Sequence, residues 1–319
     1  MAERPNHQIT LDQNELYDVL IVGGGPAAIS AGLYAARKGL KTGLITYDMG
    51  GQVLTTATVE NYPGSPEIEG ARMMDEWRTH MLEYPVALYE FVHAEFVRQI
   101  GNEFQVTTDD GKAFKGKTLI IATGKRSRPL DVPGEKELTG RGVAFCATCD
   151  APLYRDKTVA VVGGGNSAIE AIVDLGKIAT KIYVFQFLED FTADTIVREK
   201  IEPFKDKIEV FFNTVVHELK GTARLEEAII RDRLTGAAKT IKLDGIFVEI
   251  GLIPNSDIVK DFLQLNQNGE IMIDAHCNTS VPGIFAAGDV TDTPYKQIVI
   301  SAGEGAKAAL AAYDYLLSH

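Results

Sequence analysis

Tyr17-Asp18-Val19-Leu20-Ile21-Val22-Gly23-Gly24-Gly25-Pro26-Ala27-Ala28 and Lys157-Thr158-Val159-Ala160-Val161-Val162-Gly163-Gly164-Gly165-Asn166-Ser167-Ala168 follow one pattern, 140 residues apart. Each begins with a short apolar run of the kind buried in a parallel sheet. Each then passes into Gly-x-Gly-x-x-Ala. After the first copy a small-residue helix runs through Ala31, Leu33, Tyr34, Ala35 and Ala36, Gly39 ends it, and Leu44-Ile45-Thr46 begins a second strand. After the second copy the helix continues from Ile169 to Leu175, and Lys181-Ile182-Tyr183-Val184-Phe185 supplies the strand. Strand, glycine turn, helix, strand is the unit that holds a dinucleotide pyrophosphate. Gly23 permits the tight turn, Gly25 lets the backbone approach the phosphates, and Ala28 keeps helix and strand close. Unpaired N–H groups and the helix dipole then face the anion. One copy is a weak signal, because glycine turns join many strands to helices. Two copies in the required setting outweigh that reading.

Composition narrows the class. The 319 residues are 45% hydrophobic and 24% charged, with a formal net charge of −12. That is too apolar for a disordered chain and too acidic, with no block of Lys and Arg, for nucleic acid as the main partner. No window reaches the ~18 uninterrupted apolar residues of a membrane span. The first sixteen residues are polar and acidic, unlike a signal peptide. The expectation is a cytoplasmic protein with no membrane partner. Of three cysteines, two stand as Cys146-Ala-Thr-Cys149 and Cys277 stands alone. In a reducing compartment Cys-x-x-Cys means half a zinc site or a redox pair. Zinc needs two further ligands, for which His276-Cys277 is the only paired candidate elsewhere. Cys277 itself reads as an inert buried thiol, and no metal is expected.

Two dinucleotide folds imply two nucleotides with hydride passing between them, most commonly FAD and a nicotinamide cofactor. Near the C-terminus Gly283-Ile284-Phe285-Ala286-Ala287-Gly288-Asp289 reads as an apolar strand ending in Gly-Asp. Leu119 to Gly124, including Thr123, and Val248-Glu249-Ile250-Gly251 read as strand ends where the chain crosses between domains.

With Cys146-Ala-Thr-Cys149-Asp150 added, the chain resembles the low-molecular-weight thioredoxin reductases and the related flavoprotein subunit of bacterial alkyl hydroperoxide reductase. The resemblance runs from about Tyr17 to Leu317. Besides the glycine turns it rests on Gly50-Gly51-Gln52, Glu60-Asn61-Tyr62-Pro63-Gly64, Ala286-Ala287-Gly288-Asp289 and Lys296-Gln297. It implies an α/β fold of two three-layer, Rossmann-like dinucleotide-binding domains, the second inserted in the first. The FAD domain would comprise residues 1–124 and 244–319, and the nicotinamide domain with the CxxC residues 125–243. It implies FAD contacts from Gly23, Gly25, Pro26, Ala27, Gln52, Asn61, Thr123, Gly124, Gly288, Asp289, Lys296 and Gln297. Nicotinamide contacts would come from Gly163, Gly165, Asn166, Ser167, Gln186 and Gly251. By the same resemblance Cys149 faces the flavin, Cys146 attacks the outside disulfide, and Asp150 is the acid/base. For the flavin ribose the chain offers Asp48 or a backbone group. A homodimer and two domains that rotate about linkers near Lys125 and Gly245 are also implied.

The donor is read from one departure. NADPH-dependent thioredoxin reductases carry His-Arg-Arg and a further Arg after the second strand of the nicotinamide domain, which pair with the 2′-phosphate. This chain reads Gln186-Phe187-Leu188-Glu189-Asp190-Phe191-Thr192 there. With no arginine and two carboxylates, NADH is the expected donor, Gln186 meeting a ribose hydroxyl. Only about sixteen residues precede the first strand, so a separate thioredoxin- or glutaredoxin-like protein is the expected acceptor. Met73, Met74 and Trp77 share a helix face and read as packing. Three alternatives stay open: the same chemistry fed by ferredoxin, a redox sensor without turnover, and an NADH oxidase that needs no CxxC.

Overall fold

The structure is a computed structural model that describes residues 9–55, 59, 61–145 and 147–319. Two compact units emerge, one from the chain up to Arg126 and again from Ile253, the other from Ser127–Leu252.

In the first unit the chain forms β1 (Ile9–Thr10), β2 (Leu16–Val22), α1 (Pro26–Arg37), β3 (Thr42–Ile45), α2 (Gly70–Met81), β4 (Val86–Tyr89), β5 (Ala94–Ile100), β6 (Glu103–Thr108) and β7 (Ala113–Ile121). A short β8 (Lys125–Ser127) leads into the second unit. There follow α3 (Glu135–Leu138), β9 (Val143–Ala144), α4 (Ala147–Asp150), β10 (Thr158–Val162), α5 (Asn166–Gly176), β11 (Lys181–Phe185) and α6 (Thr195–Arg198). Next come β12 (Ile208–Phe211), β13 (Thr214–Lys220), β14 (Glu227–Asp232), β15 (Ala238–Lys242) and β16 (Gly245–Val248). The return strand β17 (Leu252–Pro254) leads back to β18 (Ile284–Ala286) and α7 (Ile298–Ser318) of the first unit.

Both units lay their strands out alike. In the first, β4, β3, β2 and β7 are parallel neighbours in that order. In the second, β12, β11, β10 and β16 repeat it. In chain order, antiparallel strands come between the third and fourth of these parallel strands each time: β5 and β6 between β4 and β7, extending the sheet beyond β7, and β13 to β15 between β12 and β16, forming a sheet of their own. β7 pairs with β2 along its length, while β6 joins its beginning and β18 its end. Val19, Leu20 and Ile21, like Val159, Ala160 and Val161, are fully buried, as central strands covered on both faces must be.

The helices explain the small residues. Ala27, Ala28, Ala31 and Ala35 form the buried face of α1, which lets α7 come very close. A Cβ added at Gly305 of α7 would lie 2.0 Å from the Ala27 carbonyl oxygen. Met73 and Met74 are buried on α2, and Trp77 meets Tyr62 edge-on at 5.1 Å. Each large apolar side chain so buried contributes about 1.5–3 kcal/mol.

Where the chain leaves and re-enters the first unit it is tied down. Thr123 Oγ1 donates to Asn255 O at 2.7 Å, Asn255 Nδ2 returns a bond to Thr123 O at 2.9 Å, and Asn255 N–H donates to Gly124 O at 3.0 Å. Lys125 Nζ lies 2.7 Å from Glu270, which also pairs with Lys296 at 3.3 Å and accepts from Asn266 at 2.7 Å. Burial opposes ionisation of Glu270, but Lys125, Asn266 and Lys296 outweigh it and hold the carboxyl down to about 2, from an ordinary 4.5. A depressed carboxyl stabilises the fold above its unfolded pKa and ceases to as pH falls through the folded one. Glu270→Gln is therefore less stable than wild type at neutral pH. Denaturant midpoints of the two converge as pH falls from about 4.5 toward about 2.

Candidate functional site

Both glycine turns have one geometry. Gly23 and Gly163 stand at φ of 125° and 130°. A Cβ on Gly23 would meet Ala122 O at 2.1 Å, and one on Gly163 would meet Glu249 O at 2.2 Å. Gly24 is excluded from having a side chain by packing, since the added Cβ would lie 1.8 Å from Asp48 O; at Gly164 it would lie 2.3 Å from Gln186 Nε2, so the amide end of Gln186 would have to move. Gly25 and Gly165 differ from both. Their backbones are extended, at φ −77° and −85°, which any residue adopts. The nearest atom to an added Cβ is 3.9 Å away at Gly25 and 3.8 Å at Gly165. Nothing among the described residues requires glycine at these two positions, so the space a side chain would take is open to a ligand's close approach. Among the described residues no side chain caps α1 or α5, which leaves first-turn amides to face an anion. Such a cradle fits the pyrophosphate of a dinucleotide.

In the first unit the loop after β3 is stitched to its turn: Gly50 N–H donates to Gly24 O at 2.8 Å. Thr46 Oγ1 donates to Asp48 O, and Asp48 Oδ1 accepts from Gly51 N–H at 2.8 Å. Polar residues singled out by sequence pair with one another here. Gln52 Nε2 donates to Asp289 at 3.4 Å, Ser301 to the other Asp289 oxygen at 3.2 Å, and Asn61 Nδ2 to Gln297 Oε1 at 2.9 Å. Buried Glu304 holds the Gly288-Asp289 turn by accepting from Gly288 N–H at 2.7 Å, a role with no motif to announce it. Pro26 and Ala27 open α1, with Ala27 buried. Thr123 and Gly124 are engaged with Asn255, and Lys296 with Glu270 and Thr291 O. Cys277 is buried and its thiol is pushed up to about 11 by burial, so it is a poor thiolate. His276 is exposed.

In the second unit the loop after β11 plays the same part. Thr192 and Ala193 N–H donate to Gly164 O at 2.8 and 3.0 Å. Asn166 and Asp194 exchange two bonds of 2.9 Å. Gln186 is only 4% exposed and its Nε2 donates to Asp190 O at 2.9 Å. Its Oε1 accepts no hydrogen bond among the described residues, and so remains an acceptor for a hydroxyl. Two cations that the local sequence did not announce reach this loop. Arg198 pairs with Asp190 at 2.9 Å and donates to Ala193 O at 2.7 Å and to Phe191 O. Arg233, from the β14–β15 turn, donates to Phe187 O at 2.8 Å and lies 3.5 Å over the Phe187 ring. Gly251 stands at φ 97° with open space where a Cβ would be.

Cys146 and Glu60 lie outside the described residues. Cys149 falls in α4, at whose end Asp150 is half-buried, its carboxyl raised by burial. Glu249, the residue after β16, was not foreseen as a site residue; its only signal is a carboxylate following an apolar strand. It accepts from Ala147 N–H at the start of α4 and from Ser167 at the start of α5. The glycine turn and the CxxC segment therefore share one carboxylate.

Residues 17–305 match the family of pyridine nucleotide-disulphide oxidoreductases, and the chain belongs to it. Over 306 residues it is 43% identical to the F subunit of the alkyl hydroperoxide reductase of Staphylococcus aureus, covering 96% of this chain and 60% of that protein. The corresponding protein of Pseudomonas putida is 43% identical over 310 residues, covering 96% and 59%. The chain thus spans about three-fifths of the length of these curated relatives. Its fold matches the thioredoxin reductase of Lactococcus lactis with a TM-score of 0.81 at 33% identity, covering 95% of this chain and all of that one. No described helix is long and apolar enough to cross a membrane.

Burial raises the Glu249 carboxyl to about 7 from an ordinary 4.5, against the bonds from Ala147 and Ser167 and with help from nearby Glu170. The folded state holds this proton where the unfolded state has lost it, so stability falls as pH rises between those values. Glu249→Gln is expected to gain stability relative to wild type as pH rises from about 4.5 through about 7, read from thermal midpoints across that range.

Proposed function

We propose that the chain is an FAD-dependent disulfide reductase that takes electrons from NADH and delivers them through Cys146 and Cys149 to a thioredoxin- or glutaredoxin-like protein. The observation that carries this reading is the pair of open cradles at Gly25 and Gly165, in a family defined by a pyridine nucleotide and a disulfide. We assign FAD to the first unit, where Gln52, Asn61, Asp289 and Gln297 gather, and the nicotinamide nucleotide to the second. When bound, FAD supplies two-electron chemistry between a nicotinamide and a disulfide. The protein's own part is to hold and orient. The first-turn amides of α1 and α5 meet pyrophosphates, and Gln186 Oε1 accepts from a ribose hydroxyl. The Cys146 thiolate attacks the acceptor disulfide to form a mixed disulfide and expel one acceptor thiolate. Cys149 then attacks the Cys146 sulfur, closes the Cys146–Cys149 disulfide and releases the second. Asp150, whose carboxyl is raised by burial, gives a proton to a departing sulfur. We further assign the enzyme to the cytoplasm and to a homodimer, on the likeness to its relatives.

One experiment tests donor and route together. Purified oxidised protein mixed anaerobically with NADH loses its visible flavin absorbance quickly, and with NADPH at least about tenfold more slowly, the worth of one charge-assisted contact. Cys146→Ser keeps bleaching by NADH but no longer reduces a thioredoxin disulfide. Equal bleaching by both nucleotides contradicts the donor assignment. Bleaching by neither favours the ferredoxin-fed reading, which a weaker structural likeness to a ferredoxin-flavin thioredoxin reductase of Clostridium acetobutylicum keeps in view, at TM-score 0.52 and 25% identity. A Cys146→Ser variant that still reduces the disulfide contradicts the route.

A further inference from the structure

The loop from Gln186 to Asp194 forms a wall beside the second glycine turn, fixed to Gly164 O by two backbone bonds and to Asn166 by a reciprocal pair. By its sequence that wall is acidic and lacks an arginine. Its structure adds a cation: Arg198, on the short helix that follows, folds back across the loop. Nη1 pairs with Asp190 Oδ2 at 2.9 Å, Nε donates to Ala193 O at 2.7 Å, and Nη2 to Phe191 O. Every nitrogen of the guanidinium is engaged within the loop. Arg198 holds the Asp190 carboxyl below its usual range, with help from the Phe191 amide. Asp190 also carries the carbonyl that fixes Gln186 Nε2, so one residue orients the proposed ribose acceptor and occupies the cation.

We propose that Asp190 is a specificity-determining residue for the pyridine nucleotide, acting by sequestering Arg198 so that no guanidinium is available to a 2′-phosphate. This inference rests on the second unit being the pyridine-nucleotide site. It goes beyond simple repulsion by acidic residues: the wall possesses the cation that 2′-phosphate recognition requires and withholds it. With one N–H of each nitrogen already given to a carboxylate or a carbonyl, the guanidinium keeps at most two of its five donors for a phosphate and is held facing the loop. Arg233 is held differently, by one bond to Phe187 O and the face of its ring, and serves as the comparison residue.

The test is calorimetric titration of oxidised, FAD-loaded protein with 5′-ADP and with 2′,5′-ADP, which reads binding without turnover. Asp190→Asn is nearly isosteric and its amide oxygen can still accept from Phe191 N–H, a bond that Asp190 Oδ1 makes at 2.8 Å. Asp190→Ser is a second version that removes the charge. Both variants are expected to tighten 2′,5′-ADP relative to 5′-ADP by about tenfold, the size of one charge-assisted contact. Adding Arg198→Gln to Asp190→Asn returns the ratio to the wild-type value, while adding Arg233→Gln leaves the gain in place. A gain that survives Arg198→Gln overturns sequestration in favour of plain repulsion. An unchanged ratio in both Asp190 variants, with 5′-ADP still bound, overturns the proposal alone. Failure of wild type to bind 5′-ADP overturns the nucleotide reading of the second unit, and this proposal with it.

Discussion

The approach of a strand-end carbonyl to a glycine, Ala122 O to Gly23 and Glu249 O to Gly163, is the constraint on which both units turn. At 2.1 and 2.2 Å from where a Cβ would stand, it admits no other residue. It brings the fourth parallel strand against the turn that follows the first, and the helix then starts at the strands' C-terminal ends. From there the consequences are local. A helix that begins so close to a buried strand needs small residues on its inner face, which Ala27, Ala28 and Ala31 supply in α1 and Ala168 and Ala171 in α5. The close α1–α7 contact through Gly305 follows from the same economy of side-chain volume. What remains at the mouth of each turn is a glycine that packing does not require, and an uncapped helix start.

Much of this frame was legible in the sequence because it is written in short-range patterns. The strand at Leu16–Val22 and the helix from Pro26 are continuous apolar and small-residue runs, and hydrophobic pattern with glycine spacing reports such elements directly. Their duplication at Thr158–Val162 and Asn166–Gly176 was equally visible. The antiparallel strands between the third and fourth parallel strands were not drawn from the sequence. β5, for one, is largely exposed and alternates poorly, so its pattern resembles loop.

The site was only partly legible, for a physical reason. Residues whose role is set by their neighbours in sequence, such as Gly25 and Gly165, announce themselves. Those whose role is set across the fold do not. Arg198 lies beyond the motif that sequence reasoning inspected, and only the fold-back of a four-residue helix brings it onto Asp190. Glu249 follows a strand far from Ala147 in sequence, yet accepts from the start of the helix that carries Cys149. Gln186, expected to face a ribose, is buried with its amide already engaged, and retains only Oε1 for that task. Lys296, carried over as a flavin contact, is held by Glu270 and Thr291 O. Such pairings are tertiary, and no local pattern encodes them.

The central claim is that the two cradles serve two different nucleotides. The direct measurement is FAD content and NADH-driven bleaching in Gly25→Ala and Gly165→Ala, whose new methyl groups have room, with nearest atoms 3.9 and 3.8 Å from Cβ. The account predicts a Gly25→Ala protein that folds but loses FAD. It predicts a Gly165→Ala protein that retains FAD and is no longer bleached by NADH. If both variants keep FAD and bleach as wild type does, the open glycines are not the ligand cradles and the assignment of two nucleotide sites is contradicted.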